Sequence, residues 1–234
     1  MQIYGIPPRW GGEVTGMKDL FEERIPPKTR RMENTSCLHV RRDIERYARE
    51  AERQMLHFLN DNCHIQTVVE VMSGRGVWTE YLLKLNGLQT LTLNDMAPDC
   101  YALLMERFQN IPAVTRITNC DFFSQELEER VDLVVIDFNT FTWNAYTRNQ
   151  KRQILRFADW LEHNRARFRY LIYTDSFSYS LKFKKDYWTL EDPTTHAAYQ
   201  AYMDKAIAAM GMTLMYQVVT KNRDCALTLW EHPA

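Results

Sequence analysis

The sequence predicts an α/β fold: a mostly parallel sheet with helices on both faces and an antiparallel hairpin at its C-terminal end. Three observations carry this. Short runs of β-branched and aliphatic residues alternate with amphipathic stretches of helical length. Several of those runs are apolar at successive positions, as strands covered on both faces are. The last two runs, "MTLMYQVVT" and "CALTLWE", flank the turn "KNRD" and read as a hairpin that adds one antiparallel strand.

Length and composition agree with that class. A chain of 234 residues, 45% hydrophobic and 25% charged, is long enough to bury one substantial core. Residues 1–35 carry two Pro-Pro pairs and a basic cluster, Lys28, Arg30 and Arg31, and read as an irregular arm. Residues 36–234 read as a single domain, with a leading helix over 36–60 and an α/β core over 65–234. There is no apolar run of membrane-spanning length and no signal-peptide pattern at the start, so a cytoplasmic protein without a membrane partner is expected. Five scattered cysteines without metal-ligand spacing argue against a disulfide framework and against a structural zinc site. Net charge is −1, so a nucleic-acid partner would have to be met by a local basic patch rather than by bulk charge.

Within the leading helix, Ile44, Tyr47, Ala51, Met55 and Leu59 recur at helical spacing opposite a charged face. "TVVEV" (67–71) is the first strand, and "VWTEYLLKL" a helix stopped by Asn86-Gly87. "QTLTLND" (89–95) is the second strand, followed by a helix that opens on Pro98. "AVTRITNCD" (113–121) is the third strand and "VDLVVID" (131–137) the fourth. A helix over 146–165, a fifth strand over 168–175 and a helix over 194–211 precede the hairpin.

In an open α/β sheet, ligands bind beyond the carboxyl ends of the strands. Four such ends carry an acid here: Glu70, Asp95, Asp121 and Asp137. After the first strand comes Met72-Ser73-Gly74-Arg75-Gly76, where glycines allow close backbone approach to a ligand. The third glycine of a dinucleotide fingerprint is missing, and so is the Gly-Lys-Ser/Thr of a phosphate-cradling loop. Asp95 is placed to take both hydroxyls of a ribose. Glu70 beside the glycine turn would repel a pyrophosphate. A cationic nucleoside without phosphate suits the acids better, and S-adenosylmethionine is such a ligand.

"VEVMSGRG", "LTLNDMAPD", "NCDFF" and the terminal hairpin, in this order, resemble the class I S-adenosylmethionine-dependent methyltransferases over about residues 65–231. The first glycine of that family's loop is replaced here by Met72. The resemblance implies the family's Rossmann-like fold and S-adenosylmethionine as cofactor, held by Glu70, Met72, Ser73, Gly74, Gly76, Asp95, Met96, Asp121 and Phe122. In it, Asp95 meets the ribose, Met96 flanks the adenine, Asp121 meets the adenine amino group and Phe122 its face.

The family places the acceptor after the fourth strand. There "IDFNTFTWN" offers Asp137 and Asn139 as hydrogen-bonding groups and Phe138 as an aromatic wall, with Phe141 and Trp143 to pack a planar acceptor. Only the acid matches the Asp/Asn-Pro-Pro-aromatic pattern of base amino-methyltransferases. Residues 176–193 interleave Phe177 and Tyr179 with Lys182, Lys184 and Lys185, the pairing of stacking surface and cation that a single strand or flipped base requires. A nucleic-acid base is the expected acceptor. The alternatives are a small-molecule or protein acceptor, or a catalytically silent binding or regulatory subunit.

Overall fold

The computed structural model describes residues 42–137, 157, 159–175, 205, 207–219 and 226–232, all within one compact unit, Met32–Ala234. In chain order the elements are α1 (Arg42–Asn62), β1 (Thr67–Val71), α2 (Val77–Leu82), β2 (Thr90–Asn94) and α3 (Pro98–Phe108). Then come β3 (Val114–Thr118), β4 (Val131–Asp137), β5 (Phe168–Asp175), β6 (Thr213–Val219) and β7 (Ala226–Glu231). The arm over 1–35 lies outside the described residues, as do most of the helices expected over 146–165 and 194–211.

The seven strands form one sheet in the order β3-β2-β1-β4-β5-β7-β6. The first five are mutually parallel, and β7 runs antiparallel to both its neighbours. The chain leaves β1 toward β2 and β3 on one side, then returns to β4 on the other. That reversal opens a crevice above the carboxyl ends of β1 and β4, where neighbouring crossovers run away from each other.

Why the strands are apolar at successive positions is visible in the two cores. Val68, Leu133 and Val135 face one layer, while Val69, Val71, Val134 and Ile136 face the other. The first layer is closed by Ala51, Met55, Leu56 and Leu59 of α1, Trp78 and Leu82 of α2, and Leu104 and Phe108 of α3. The second is closed by Phe157, Trp160, Leu161 and Ile207. Each large apolar side chain taken fully out of water contributes about 1.5–3 kcal/mol, so both layers are needed to hold the sheet. Among the described residues, no helix is long and apolar enough to cross a membrane.

Two elements end earlier than the periodicity predicts. The helix expected through Leu85 stops as α2 at Leu82, and Lys84 and Leu85 continue in tighter turns onto Tyr81 and Leu82. Asn60 of α1 takes over there: it accepts from the Asn86 N–H at 2.8 Å and donates to the Lys84 carbonyl at 3.3 Å. The strand expected over 113–121 stops at Thr118 and gives way to a 3-10 turn, Phe122–Ser124. The cysteine expectation also needs amending. Cys63 and Cys120 are free thiols, but Cys100, fully buried in α3, is disulfide-bonded.

At the opposite, amino edge of the sheet, Asp132 fastens β4 to β1. Its Oδ2 accepts from the Gln66 N–H (2.8 Å), the Thr67 N–H (2.9 Å) and the Thr67 hydroxyl (3.0 Å). Asp132→Ala leaves two backbone donors without this acceptor and is expected to cost about 1–3 kcal/mol in urea unfolding. Ligand affinity should be unchanged in that variant, because the clamp lies a strand length away from the crevice.

Candidate functional site

Strand register puts the candidate residues on one level. Val71 pairs with Asn94 on one side and Ile136 on the other. The next residues, Met72, Asp95 and Asp137, therefore leave the sheet side by side, with Asp95 and Asp137 on opposite flanks of the β1 loop. At strand spacings near 4.8 Å their backbones are about 10 Å apart.

The β1 loop is built from left-handed backbone. Met72, Gly74 and Gly76 have φ of 59°, 54° and 74°. Met72 is the residue that replaces the first glycine, and it occupies the conformation that glycine adopts without strain. Its side chain packs against the second core layer, which offsets a conformational cost of about 1 kcal/mol. Gly76 begins α2 and lies against the Phe108 ring: a Cβ there would come within 2.3 Å of Phe108 Cε2. From α3, the Arg107 guanidinium donates to the Arg75 carbonyl and pairs with Glu80, lying over its own neighbour's ring 4.7 Å from the Phe108 centroid.

Three of the loop's amides are turned inward. Ser73 N–H donates to the Asn94 carbonyl (2.9 Å) and Gly76 N–H to the Ser73 carbonyl (2.8 Å). Gly74 N–H donates to Asp95 Oδ2 (2.8 Å). A phosphate-binding loop does the reverse and points successive N–H groups at the anion. Here those three donors are already engaged, and the groups beside them are carboxylates. The donor set therefore fits a neutral or cationic ligand and not a pyrophosphate.

Asp95 is 8% exposed, and its second oxygen, Oδ1, accepts from the Ala97 N–H at 2.8 Å. Each carboxylate oxygen has more than one acceptor direction, and the two backbone donors orient the group. Met96, next in sequence, is 63% exposed, the one large apolar side chain so exposed among the described residues. An apolar surface of that size beside a polar anchor is what a nucleobase needs for one of its faces.

Other predicted residues have different surroundings. Glu70 is 1% exposed, and its Oε2 accepts from the Thr79 hydroxyl at 2.7 Å, which ties β1 to α2 beneath the loop. Ser73 is buried too. Its hydroxyl donates to the Glu70 carbonyl (3.1 Å) and accepts from the Asn94 N–H (3.3 Å), so it knits strand ends together. Asp121 opens the 3-10 turn after β3, and its carbonyl accepts from the Ser124 hydroxyl at 2.7 Å. Phe122 is half-buried, its ring centroid 5.0 Å from that of Trp160, and Phe123 packs on Phe157 and Trp160. Both rings thus share in the second core layer. Asp137 is the last residue of β4. Phe138, Asn139, Phe141, Trp143, Phe177, Tyr179, Lys182, Lys184 and Lys185 lie outside the described residues.

Sequence reasoning missed Asn94, Thr79 and Arg107. Asn94 alone carried a signal, as an amide in a strand otherwise filled by leucine and threonine. Burial displaces titratable groups at the far, amino edge of the sheet. There the Tyr170 phenol is pushed up to about 12, chiefly by burial. Burial also raises the Cys63 thiol and lowers the His232 imidazole.

No family model and no curated protein sequence matches the chain. Solved structures match it in fold. The N-methyltransferase NodS from Bradyrhizobium japonicum WM9 is 16% identical at a TM-score of 0.58, covering 82% of this chain and 99% of that one. The magnesium protoporphyrin IX methyltransferase ChlM from Synechocystis PCC 6803, solved with S-adenosylmethionine bound, is 14% identical at 0.58, covering 94% and 97%. A putative RNA methyltransferase from Pyrococcus horikoshii is 13% identical at 0.52, covering 79% and 84%. The fold is therefore the Rossmann-like fold of the class I methyltransferases, as the strand order and the reversed seventh strand also require.

Proposed function

We propose that the protein is an S-adenosylmethionine-dependent methyltransferase. The observation that carries this is the pairing of a buried, doubly anchored carboxylate, Asp95, with a glycine loop in which the Ser73, Gly74 and Gly76 amides bond within the fold. A ribose anchor without a phosphate cradle selects a nucleoside that has no phosphate. In this reading Asp95 accepts the ribose hydroxyls, Met96 flanks the adenine, Asp121 accepts from its amino group, and the backbone around Gly74 borders the amino-acid end. Glu70 and Ser73 act from beneath, holding the loop in shape.

When bound, S-adenosylmethionine supplies a methyl group already activated by its sulfonium. The protein's part is then to align the acceptor in line with it and to exclude water. Asp137, leaving β4 on the other flank of the loop, is the residue we assign to accept an N–H or O–H of the acceptor. As acceptor we propose a nucleic-acid base, on the strength of the interleaved aromatic and lysine residues of 176–193 and the single acid of "DFNT".

Two measurements test this in sequence. Calorimetry with S-adenosylhomocysteine is expected to give a dissociation constant in the micromolar range; absence of binding overturns the methyltransferase reading. Transfer of labelled methyl to RNA or DNA, with binding that weakens steeply with salt and on changing Lys182, Lys184 and Lys185 to Glu, supports the nucleic-acid acceptor. Label appearing only in protein or in small molecules overturns that part alone.

A further inference from the structure

Asn94 ends β2 as a buried amide, 2% exposed, directly before the carboxylate assigned to the ribose. Taking an amide out of water costs free energy unless its groups are bonded, and here they are. The Nδ2 group donates to Thr118 Oγ1 at 2.9 Å and to the Cys120 carbonyl at 3.1 Å, with Cys120 Sγ at 3.2 Å. A carbonyl can only accept, so the amide's orientation is set: its NH2 faces the end of β3. Thr118 Oγ1 passes the link on to the Leu93 carbonyl at 3.4 Å.

These side-chain bonds span the gap at which β2 and β3 part company. The last pair in the register is Asn94 with Thr118. Beyond it the ladder gives way to side-chain bonds: Asn94 to Cys120 from one side, and Asn119 Nδ2 to the Asp95 carbonyl, at 2.8 Å, from the other. Cys120 is joined to Asp121, and Asn94 to Asp95. Asp95 is also tied back to β3 by its own N–H, which donates to the Thr118 carbonyl at 3.2 Å. Of these links the Asn94 amide is the one that reaches Cys120, the residue before the carboxylate assigned to the base.

We infer that Asn94 is a positioning residue that makes the site selective for adenine by holding the Cys120–Asp121 segment at a fixed distance from Asp95. The inference rests on the function proposed above. Asn94 need not touch the ligand. If Asp121 drifts, the ribose contact survives and the contact to the exocyclic amine does not. A group that reads one hydrogen bond discriminates only as well as it is held in place.

The test compares S-adenosylhomocysteine with S-inosylhomocysteine, which carries a carbonyl where adenine has its amino group. Both are titrated by calorimetry into the wild type, Asn94→Ala and Thr118→Val. The wild type is expected to prefer the adenine ligand. In Asn94→Ala its affinity for S-adenosylhomocysteine should fall about tenfold, while S-inosylhomocysteine, which never made the contact, changes by less than about twofold. Thr118→Val keeps the side-chain shape and removes one acceptor, so it should show the same loss of preference at about threefold. It carries the comparison if Asn94→Ala does not fold. Equal weakening of both ligands, or an unchanged preference in folded variants, shows Asn94 to be merely structural and overturns the inference. A wild type that binds neither ligand overturns the underlying reading instead.

Discussion

Gly76→Ala is expected to destabilise the protein by about 2–4 kcal/mol, seen as a lower urea midpoint at unchanged slope. Two costs add. The residue sits at φ 74°, where a Cβ costs about 1 kcal/mol. The new methyl would also lie 2.3 Å from Phe108 Cε2, 2.8 Å from Phe108 Cζ and 3.3 Å from Leu104 Cδ2. Phe108 and Leu104 are 4% and 0% exposed, so neither can retreat into solvent. Overpacking of a closed core costs about 1–3 kcal/mol. Gly74→Ala separates the two terms. Gly74 has φ 54°, and its Cβ would meet nothing nearer than the Met72 carbonyl at 3.8 Å, so it should lose only about 1 kcal/mol. Met72 at φ 59° shows that left-handed backbone by itself is tolerated in this loop. Equal losses in the two variants would mean that the Phe108 ring yields and that the contact between the loop and α3 is not a constraint.

The same loop marks the boundary between what the residue pattern could and could not reveal. Strands apolar on both faces, separated by helical repeats, dictate a covered parallel sheet, and a parallel sheet puts every strand's carboxyl end on one edge. Asp95, Asp121 and Asp137 were legible as rim residues for that topological reason alone. Where a rim side chain points is a different matter. Glu70 and Ser73 read as ligand contacts, and the structure adds bonds inside the fold that no strand pattern announces, from the Thr79 hydroxyl to Glu70 and from the Asn94 backbone to Ser73. Phe122 reads as an adenine face, but its ring also meets Trp160, 38 positions further on, which no local pattern connects to it. The ends of α2 and β3 were misjudged for a related reason. Asn60 and Asn94 supply side-chain bonds that outcompete one more turn or one more rung, and an asparagine carries no mark of which backbone it will serve.

Asp95→Asn is expected to be costlier for ligand binding than its conservative shape suggests. Both carboxylate oxygens accept from backbone N–H groups at 2.8 Å, Oδ2 from Gly74 and Oδ1 from Ala97. A carboxamide has a single oxygen, so in either orientation its NH2 faces one of the two donors. One bond is lost and a donor is set against a donor, a penalty of about 1–3 kcal/mol in stability. If the Gly74 bond is the one lost, the loop loses its tie to β2. If the Ala97 bond is lost, Met96 is no longer held beside the anchor. A ribose placed on this group would also exchange an ionised acceptor for a neutral amide, and bonds to charged acceptors are roughly twice as strong as neutral ones. Together these changes should weaken S-adenosylhomocysteine binding about a hundredfold by calorimetry, at a temperature where the variant remains folded. A purely structural Asp95 makes a different prediction: lower stability with the affinity of the folded fraction intact. Folded Asp95→Asn that binds as tightly as the wild type would move the ribose off Asp95, and the identification of the crevice as a nucleoside site would fall with it.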